Sequence, residues 1–169
     1  MKQTQLELQP VDIQPAVSSE AQMLTDIAFA AKRYWDYPQS YFDIWTDELT
    51  ITPEYIKKNK VFTVKIDNRI VGFCSIREVE EDSYIGEIFV NKGFWLDHLF
   101  IDPEYIGMGV GNQLMDYVNF YCKDRRISNL FIFSDPFAKG FYDKVGAKYV
   151  RESPSSIPGR TLPVYEYVI

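Results

Sequence analysis

The chain has 169 residues, 46% of them hydrophobic and 25% charged, enough for one domain with a buried core and too apolar for disorder. Its formal charge of −6, with no run of Lys and Arg longer than three, disfavours a nucleic-acid partner, because phosphate binding needs a basic face. No apolar run approaches the roughly 18 residues of a spanning helix, and the opening Met1-Lys2-Gln3-Thr4-Gln5 leads into no signal-peptide core, so a cytoplasmic protein without membrane association is expected. Cys74 and Cys122 lie far apart, inside a predicted strand and a predicted helix, and read as reduced, packed thiols instead of a disulfide or a metal site.

Residues 6–11 alternate apolar and polar and read as a first strand. Ser18-Ser19-Glu20 opens a helix whose Leu24, Ile27, Ala28 and Ala31 share one face. A second helix follows Pro38, and a short one starts at Thr52-Pro53-Glu54, where proline suits the first turn. The period then changes to two. Residues 61–66 and 70–77 flank Asp67-Asn68-Arg69 as a hairpin, and residues 84–90 and 94–101 flank Asn91-Lys92-Gly93 in the same pattern. Val110, Leu114, Val118 and Cys122 recur every four residues as an amphipathic helix. Residues 130–133 form a short buried strand, and Asp135-Pro136 begins a helix ended by Gly146. Two strands, 148–151 and 164–168, close the chain around a Ser/Pro/Gly-rich loop. The fold class is α/β, a single-layer, mixed and mostly antiparallel sheet flanked by helices.

The segment Leu99-Phe100-Ile101-Asp102-Pro103-Glu104-Tyr105-Ile106-Gly107-Met108-Gly109-Val110-Gly111-Asn112 turns a strand into a helix through three alternating glycines. Such a turn leaves several backbone N–H groups free to receive a phosphorylated ligand. It is no P-loop, because no Gly-Lys-Ser/Thr follows. Nor is it a dinucleotide fingerprint, which needs a glycine at Asn112 and a preceding βαβ unit.

The turn resembles the first signature of the Gcn5-related N-acetyltransferase family, Arg/Gln-x-x-Gly-x-Gly/Ala, with Ile106 standing at the Arg/Gln position. Asp135-Pro136-Phe137-Ala138-Lys139-Gly140-Phe141-Tyr142-Asp143-Lys144-Val145-Gly146-Ala147 resembles the family's second signature, and the element order fits over the whole chain. The resemblance implies one N-acetyltransferase domain over residues 1–169, with acetyl-CoA as cosubstrate and no metal. The pyrophosphate would sit on the backbone of Ile106, Gly107, Met108, Gly109, Val110, Gly111 and Asn112. The pantetheine would lie along Leu99, Phe100 and Ile101, with Asp135, Ala138, Phe141 and Tyr142 on the opposite wall. Between Asp102 and Cys122 there is no Lys or Arg, so the pyrophosphate would be held by neutral donors and the helix dipole, and weakly.

Acetyl transfer to an amine requires a neutral amine, a stabilised oxyanion and a protonated leaving thiolate. Tyr142 matches the family's general-acid tyrosine, and the N–H of Leu99 is the candidate oxyanion donor. Simple alternation puts Trp95, Asp97 and Leu99 on one strand face and Leu96, His98 and Phe100 on the other. Asp97 is therefore the first candidate base and His98, the only histidine, the second; a bulge in the strand would reverse them. Aromatics crowd the first two helices, and Trp35 and Tyr37 are candidate acceptor contacts, forming an aromatic, acidic mouth suited to a cationic amine. Arg160 reads as an ordinary loop arginine, with an acceptor carboxylate as its alternative partner. The expected activity is direct acetylation of a primary amine of a small molecule. A non-catalytic acyl-CoA-binding or regulatory module, or a peptide or protein acceptor, is the alternative. Homodimerisation is common for such folds, and nothing in the sequence specifies an interface.

Overall fold

The computed structural model describes residues 11–169, so the strand expected over residues 6–11 lies, Val11 apart, outside the described residues. β1 (Asp12–Pro15) leads through a 3₁₀ turn at Ser18–Glu20 into α1 (Ala21–Arg33), which buries Leu24, Ile27 and Ala28. α2 (Gln39–Leu49) buries Phe42, Trp45 and Leu49. α3 (Pro53–Lys58) is capped by the Thr52 hydroxyl, which accepts from the Tyr55 N–H at 3.0 Å. β2 (Lys60–Ile66) and β3 (Arg69–Val79) form the expected hairpin across Asp67 and Asn68, both left-handed at φ 50° and 64°.

The second expected hairpin does not form. β4 (Ser83–Ile85) and β5 (Ile88–Val90) fold on each other around Gly86 at φ 60°, a separate two-stranded ribbon. β6 (Gly93–Ile101) pairs antiparallel with β3 instead. Gly86 sits in a tight two-residue turn between two short strands, whereas the Asn91-Lys92-Gly93 link, with Gly93 itself at φ 135°, carries the chain over to the longer partner β3.

α4 (Val110–Asp124), β7 (Asn129–Phe133), a 3₁₀ turn at Pro136–Ala138, α5 (Lys139–Lys144), β8 (Lys148–Pro154) and β9 (Thr161–Val168) complete the order. The main sheet runs β1-β2-β3-β6-β7-β9-β8, antiparallel except at β6–β7. α4 and α5 cover one face over Leu96, Leu130 and Ile132; α1, α2 and α3 cover the other over Phe73 and Ile70. No helix among the described residues is long and apolar enough to cross a membrane.

Two irregularities prepare the site. The parallel strands β6 and β7 meet in register at Trp95 and Phe131 and diverge beyond that point. In β6, Ser75 faces His98 while Ile76 faces Leu96, which leaves Asp97 as an extra, bulged residue. The bulge resets the alternation. Leu99 and Ile101 join Leu96 against the α4 core, whereas His98 and Phe100 turn toward Phe73 on the α1–α3 side. The simple alternation that paired Leu99 with Asp97 and His98 with Leu96 is corrected accordingly.

α4 and α5 touch at a glycine: a Cβ on Gly111 would lie 3.0 Å from Phe141 Cε2 and 3.2 Å from its Cζ. Gly111→Ala sets an overpacking cost of about 1–3 kcal/mol against a helix-propensity gain of about 1 kcal/mol, so a net loss of unfolding free energy of up to about 2 kcal/mol is expected if the ring holds its place. Urea denaturation reads this directly, and a raised midpoint would mean that the Phe141 ring yields freely.

Candidate active site

The glycine turn adopts the conformation its composition suggests. Gly107 and Gly109 sit at φ 81° and 79°, and Gly109 is the N-cap of α4. The first intrahelical bond runs from the Gln113 N–H to the Gly109 carbonyl at 3.1 Å. Among the described residues, the N–H groups of residues 107–112 have no backbone partner, so a row of donors stands at the positive end of a 15-residue helix.

These donors border a cleft of about 380 Å³ that opens where β6 and β7 diverge. Leu99, Phe100 and Ile101 form one wall, and Asp135, Phe137, Ala138, Phe141 and Tyr142 the other. Ile106, Gly107, Gly109, Val110, Gly111 and Asn112 close one end, while Ala31, Lys32 and Trp35 of the α1 region close the other. Met108 does not line the cleft and packs at the rim of the α4 core. The Asp102 N–H donates to the Val71 carbonyl at 2.8 Å, across to β3. By strand alternation the N–H groups of Ile101 and Leu99 therefore point away from β3, into the gap.

Tyr142 is buried on α5 at 5% exposure, its ring edge-on to Phe141 and tilted on Tyr165. Its hydroxyl has no hydrogen-bond partner among the described residues, although the side chain lines the cleft. Burial, with the Asp135 carboxylate contributing, pushes its pKa above the ordinary tyrosine value. The phenol is thus protonated throughout the neutral range.

On the α1–α3 side of β6 the bulge gathers a polar cluster. The Tyr55 hydroxyl donates to Asp97 Oδ2, which leaves the Ser75 hydroxyl to donate to the Tyr55 oxygen at 2.8 Å. Burial and the Asp97 carboxylate raise the Tyr55 pKa and keep it a donor. Arg77 Nε is 3.5 Å from Asp97 Oδ1 and otherwise unpartnered, and His98 Nε2 is 3.7 Å from Asp97 Oδ2. Burial lowers the His98 pKa, and the Arg77 and Lys32 cations add to this against the opposing pull of Asp97. Asp97 and His98 thus stand on the same side of the sheet, which alternation alone does not allow. Tyr55, Ser75 and Arg77 escaped the sequence reading, because the register of β3 against β6 brings Ser75 and Arg77 to Asp97, and the packing of α3 on that face brings Tyr55.

Asp135 anchors a second cluster. Its Oδ1 accepts from the Phe137 N–H at 2.9 Å and from the Tyr37 hydroxyl at 2.8 Å, and its Oδ2 lies 2.7 Å from Lys32 Nζ. Burial opposes ionisation of Asp135, but Lys32, the Phe137 N–H and Tyr37 outweigh it and hold the carboxyl below its usual range. Arg160 donates to the Tyr37 hydroxyl at 2.8 Å. Trp35 stacks on Phe137 at 4.7 Å between ring centroids with 3° between planes. The mouth that the sequence suggested to be acidic holds Asp135 against two cations, Lys32 and Arg160. Arg160 is no ordinary loop residue, its side chain being 14% exposed.

The model of the acetyltransferase (GNAT) family matches residues 24–147, and the chain belongs to that family. Solved structures agree in fold. A GCN5-related N-acetyltransferase from Rhodopseudomonas palustris superposes with a TM-score of 0.72 at 18% identity, covering 94% of this chain and 95% of that one. The PaiA N-acetyltransferase of Thermoplasma acidophilum, in complex with coenzyme A, gives 0.71 at 15% identity over 95% and 99%. A GNAT family acetyltransferase of Elizabethkingia anophelis with acetyl-CoA bound gives 0.63 at 13% identity over 94% and 98%. No curated protein matches the chain.

Proposed function

We propose that the protein transfers the acetyl group of acetyl-CoA directly to a primary amine of a small molecule. The observation that carries this reading is the row of free N–H groups at residues 107–112, opening onto a cleft that the Tyr142 side chain lines. The donors and the helix dipole hold the pyrophosphate, and the pantetheine runs between the diverging strands beside Leu99 and Ile101. The amine nitrogen attacks the acetyl carbonyl carbon, and the Leu99 N–H receives the developing oxyanion. The C–S bond then breaks, the electron pair leaves with sulfur, and Tyr142 donates a hydrogen bond to that sulfur. His98 takes the proton lost by the amine, so the immediate products are an amide, protonated His98 and a CoA thiolate hydrogen-bonded to Tyr142; the thiolate takes a proton from solvent on release and His98 returns its own to solvent. No enzyme thiol is suited to an acyl intermediate: Cys74 and Cys122 are buried, and burial pushes their pKa values up to about 12 and about 11. Two reduced thiols in the core also favour a cytoplasmic setting.

Thiol release measured across a panel of amines, alongside calorimetric titration with acetyl-CoA, tests the reading. Amine-dependent release supports it; tight cofactor binding with no release on any amine or peptide would make the protein a binding module instead.

The turn has no basic side chain of its own, so acetyl-CoA is expected to bind with a dissociation constant above the submicromolar range. Ile106 is 44% exposed beside the turn and accepts a longer side chain without disturbing the core. Ile106→Arg is expected to tighten acetyl-CoA binding roughly 10- to 150-fold, the equivalent of about 1.5–3 kcal/mol for a charge-assisted hydrogen bond. Calorimetry on both proteins checks the difference, and equal affinities would place the pyrophosphate elsewhere.

A further inference from the structure

Two shielded cations share a single carboxylate beside the α1 end of the cleft. Lys32 Nζ and Arg160 Nη2 approach the same oxygen, Asp135 Oδ2, at 2.7 Å and 3.8 Å, with the three side chains between 13% and 15% exposed. The acceptor capacity of Asp135 is already engaged by the Phe137 N–H, the Tyr37 hydroxyl and Lys32. One carboxylate thus serves two cations, and the cluster keeps a surplus positive charge. Arg160 has the longer of the two ion pairs, its one side-chain hydrogen bond goes to the Tyr37 hydroxyl, and among the described residues no carboxylate other than Asp135 lies within 4.0 Å of it.

The rings of Tyr37 and Trp45, 4.9 Å and 5.3 Å from the guanidinium carbon, fix the plane of Arg160 but bring no negative charge. A guanidinium carries five N–H donors, and one is used here. A nearly buried cation with unused donors favours an anion able to accept two parallel hydrogen bonds. Lys32, Trp35, Asp135 and Phe137 line the cleft itself, and the Lys32 charge is felt at His98. Arg160 stands just behind this lining, joined to it through Tyr37 and Asp135, so the surplus positive charge lies next to the α1 end of the cleft.

The geometry points to an anion subsite in which Arg160, backed by Lys32, binds a carboxylate of the acceptor, making the acceptor a carboxylate-bearing primary amine such as a free amino acid. This rests on the acetyl-transfer reading above. The stacked Trp35 and Phe137 offer a flat apolar wall beside that carboxylate for the rest of the molecule. A polyamine would instead meet like charge.

The test uses the full chain saturated with CoA and titrated with the product-like probes N-acetylphenylalanine and N-acetylleucine, each against its own carboxamide. Tryptophan fluorescence reports binding, since Trp35 and Trp45 flank the cluster. At least one acid is expected to bind about tenfold or more tightly than its amide, and Arg160→Gln is expected to bring the two to within about threefold. Amides that bind as well as the acids, or probes that all fail to bind, would overturn the subsite. The acid-to-amide ratio of the unaltered protein decides even if Arg160→Gln fails to fold. A parallel acetyl-CoA titration separates the two levels. Absence of cofactor binding removes the acetyl-transfer reading and the subsite with it, whereas cofactor binding without acid preference removes the subsite alone.

Discussion

Tyr142→Phe is expected to cut kcat about 10²- to 10⁴-fold while leaving the acetyl-CoA dissociation constant within about twofold. The substitution removes one oxygen and keeps the ring that packs against Phe141 and Tyr165, so the α4–α5 side of the core stays filled. What it takes away is the hydroxyl that α5 offers to a leaving sulfur. Burial raises the Tyr142 pKa, which makes complete transfer of its proton to a thiolate of conjugate-acid pKa roughly 8.5 uphill. Its contribution is therefore a hydrogen bond that strengthens as charge builds on sulfur, a term present in the transition state and small in the ground state. Such a term appears in kcat and is nearly absent from cofactor affinity. Stopped-assay turnover with an accepted amine, together with acetyl-CoA calorimetry, measures both quantities. Full turnover by Tyr142→Phe would remove the role, and an equal loss in binding would make Tyr142 a packing residue of the cofactor wall.

The sequence revealed the parts of this site that obey local rules. Glycines at 107 and 109 answer a demand for positive φ, and the helix that follows announces itself by Val110, Leu114 and Val118. The chain order of the two family signatures puts Tyr142 opposite that turn, and the cleft is lined accordingly. The rest depends on pairing that no local pattern encodes. The extra residue in β6 exists because Ser75 and Ile76 of β3 select His98 and Leu96 as partners, and that slip changes which side of the sheet receives His98. In the same way Lys32, Asp135 and Arg160 come from three distant segments, so a chain of net charge −6 conceals a local surplus of positive charge. Gly86 was visible, but whether it or Gly93 turned a hairpin depended on β3 reaching Val79, long enough to take β6 as its partner.

His98→Gln is expected to lower kcat/KM at neutral pH about 10²- to 10⁴-fold and to erase the acid limb of its pH profile. Burial, then the nearby Arg77 and Lys32 cations, depress the His98 pKa, so its imidazole is neutral and able to accept a proton. In the unaltered protein log kcat/KM should rise with pH through a midpoint below the ordinary histidine value of about 6.5 and then level off. Asp97 acts on this limb in a definite direction. Its carboxylate, 3.7 Å from Nε2, is the one charge that raises the His98 pKa. Asp97→Asn should therefore move the midpoint lower while costing less rate than His98→Gln. Were Asp97 the base, the two variants would exchange behaviour: Asp97→Asn would lose the limb and His98→Gln would keep it. The same depressed pKa sets a stability trend of fixed sign. The unfolded chain binds a proton near pH 6.5 that the folded site resists, so the stability present above that pH erodes as pH falls toward the folded value. His98→Gln should flatten this erosion in urea titrations between about pH 6.5 and 5, whatever its effect on turnover. A flattened stability curve with an intact rate limb would leave His98 a buried structural imidazole, and the loss of both would make it the base.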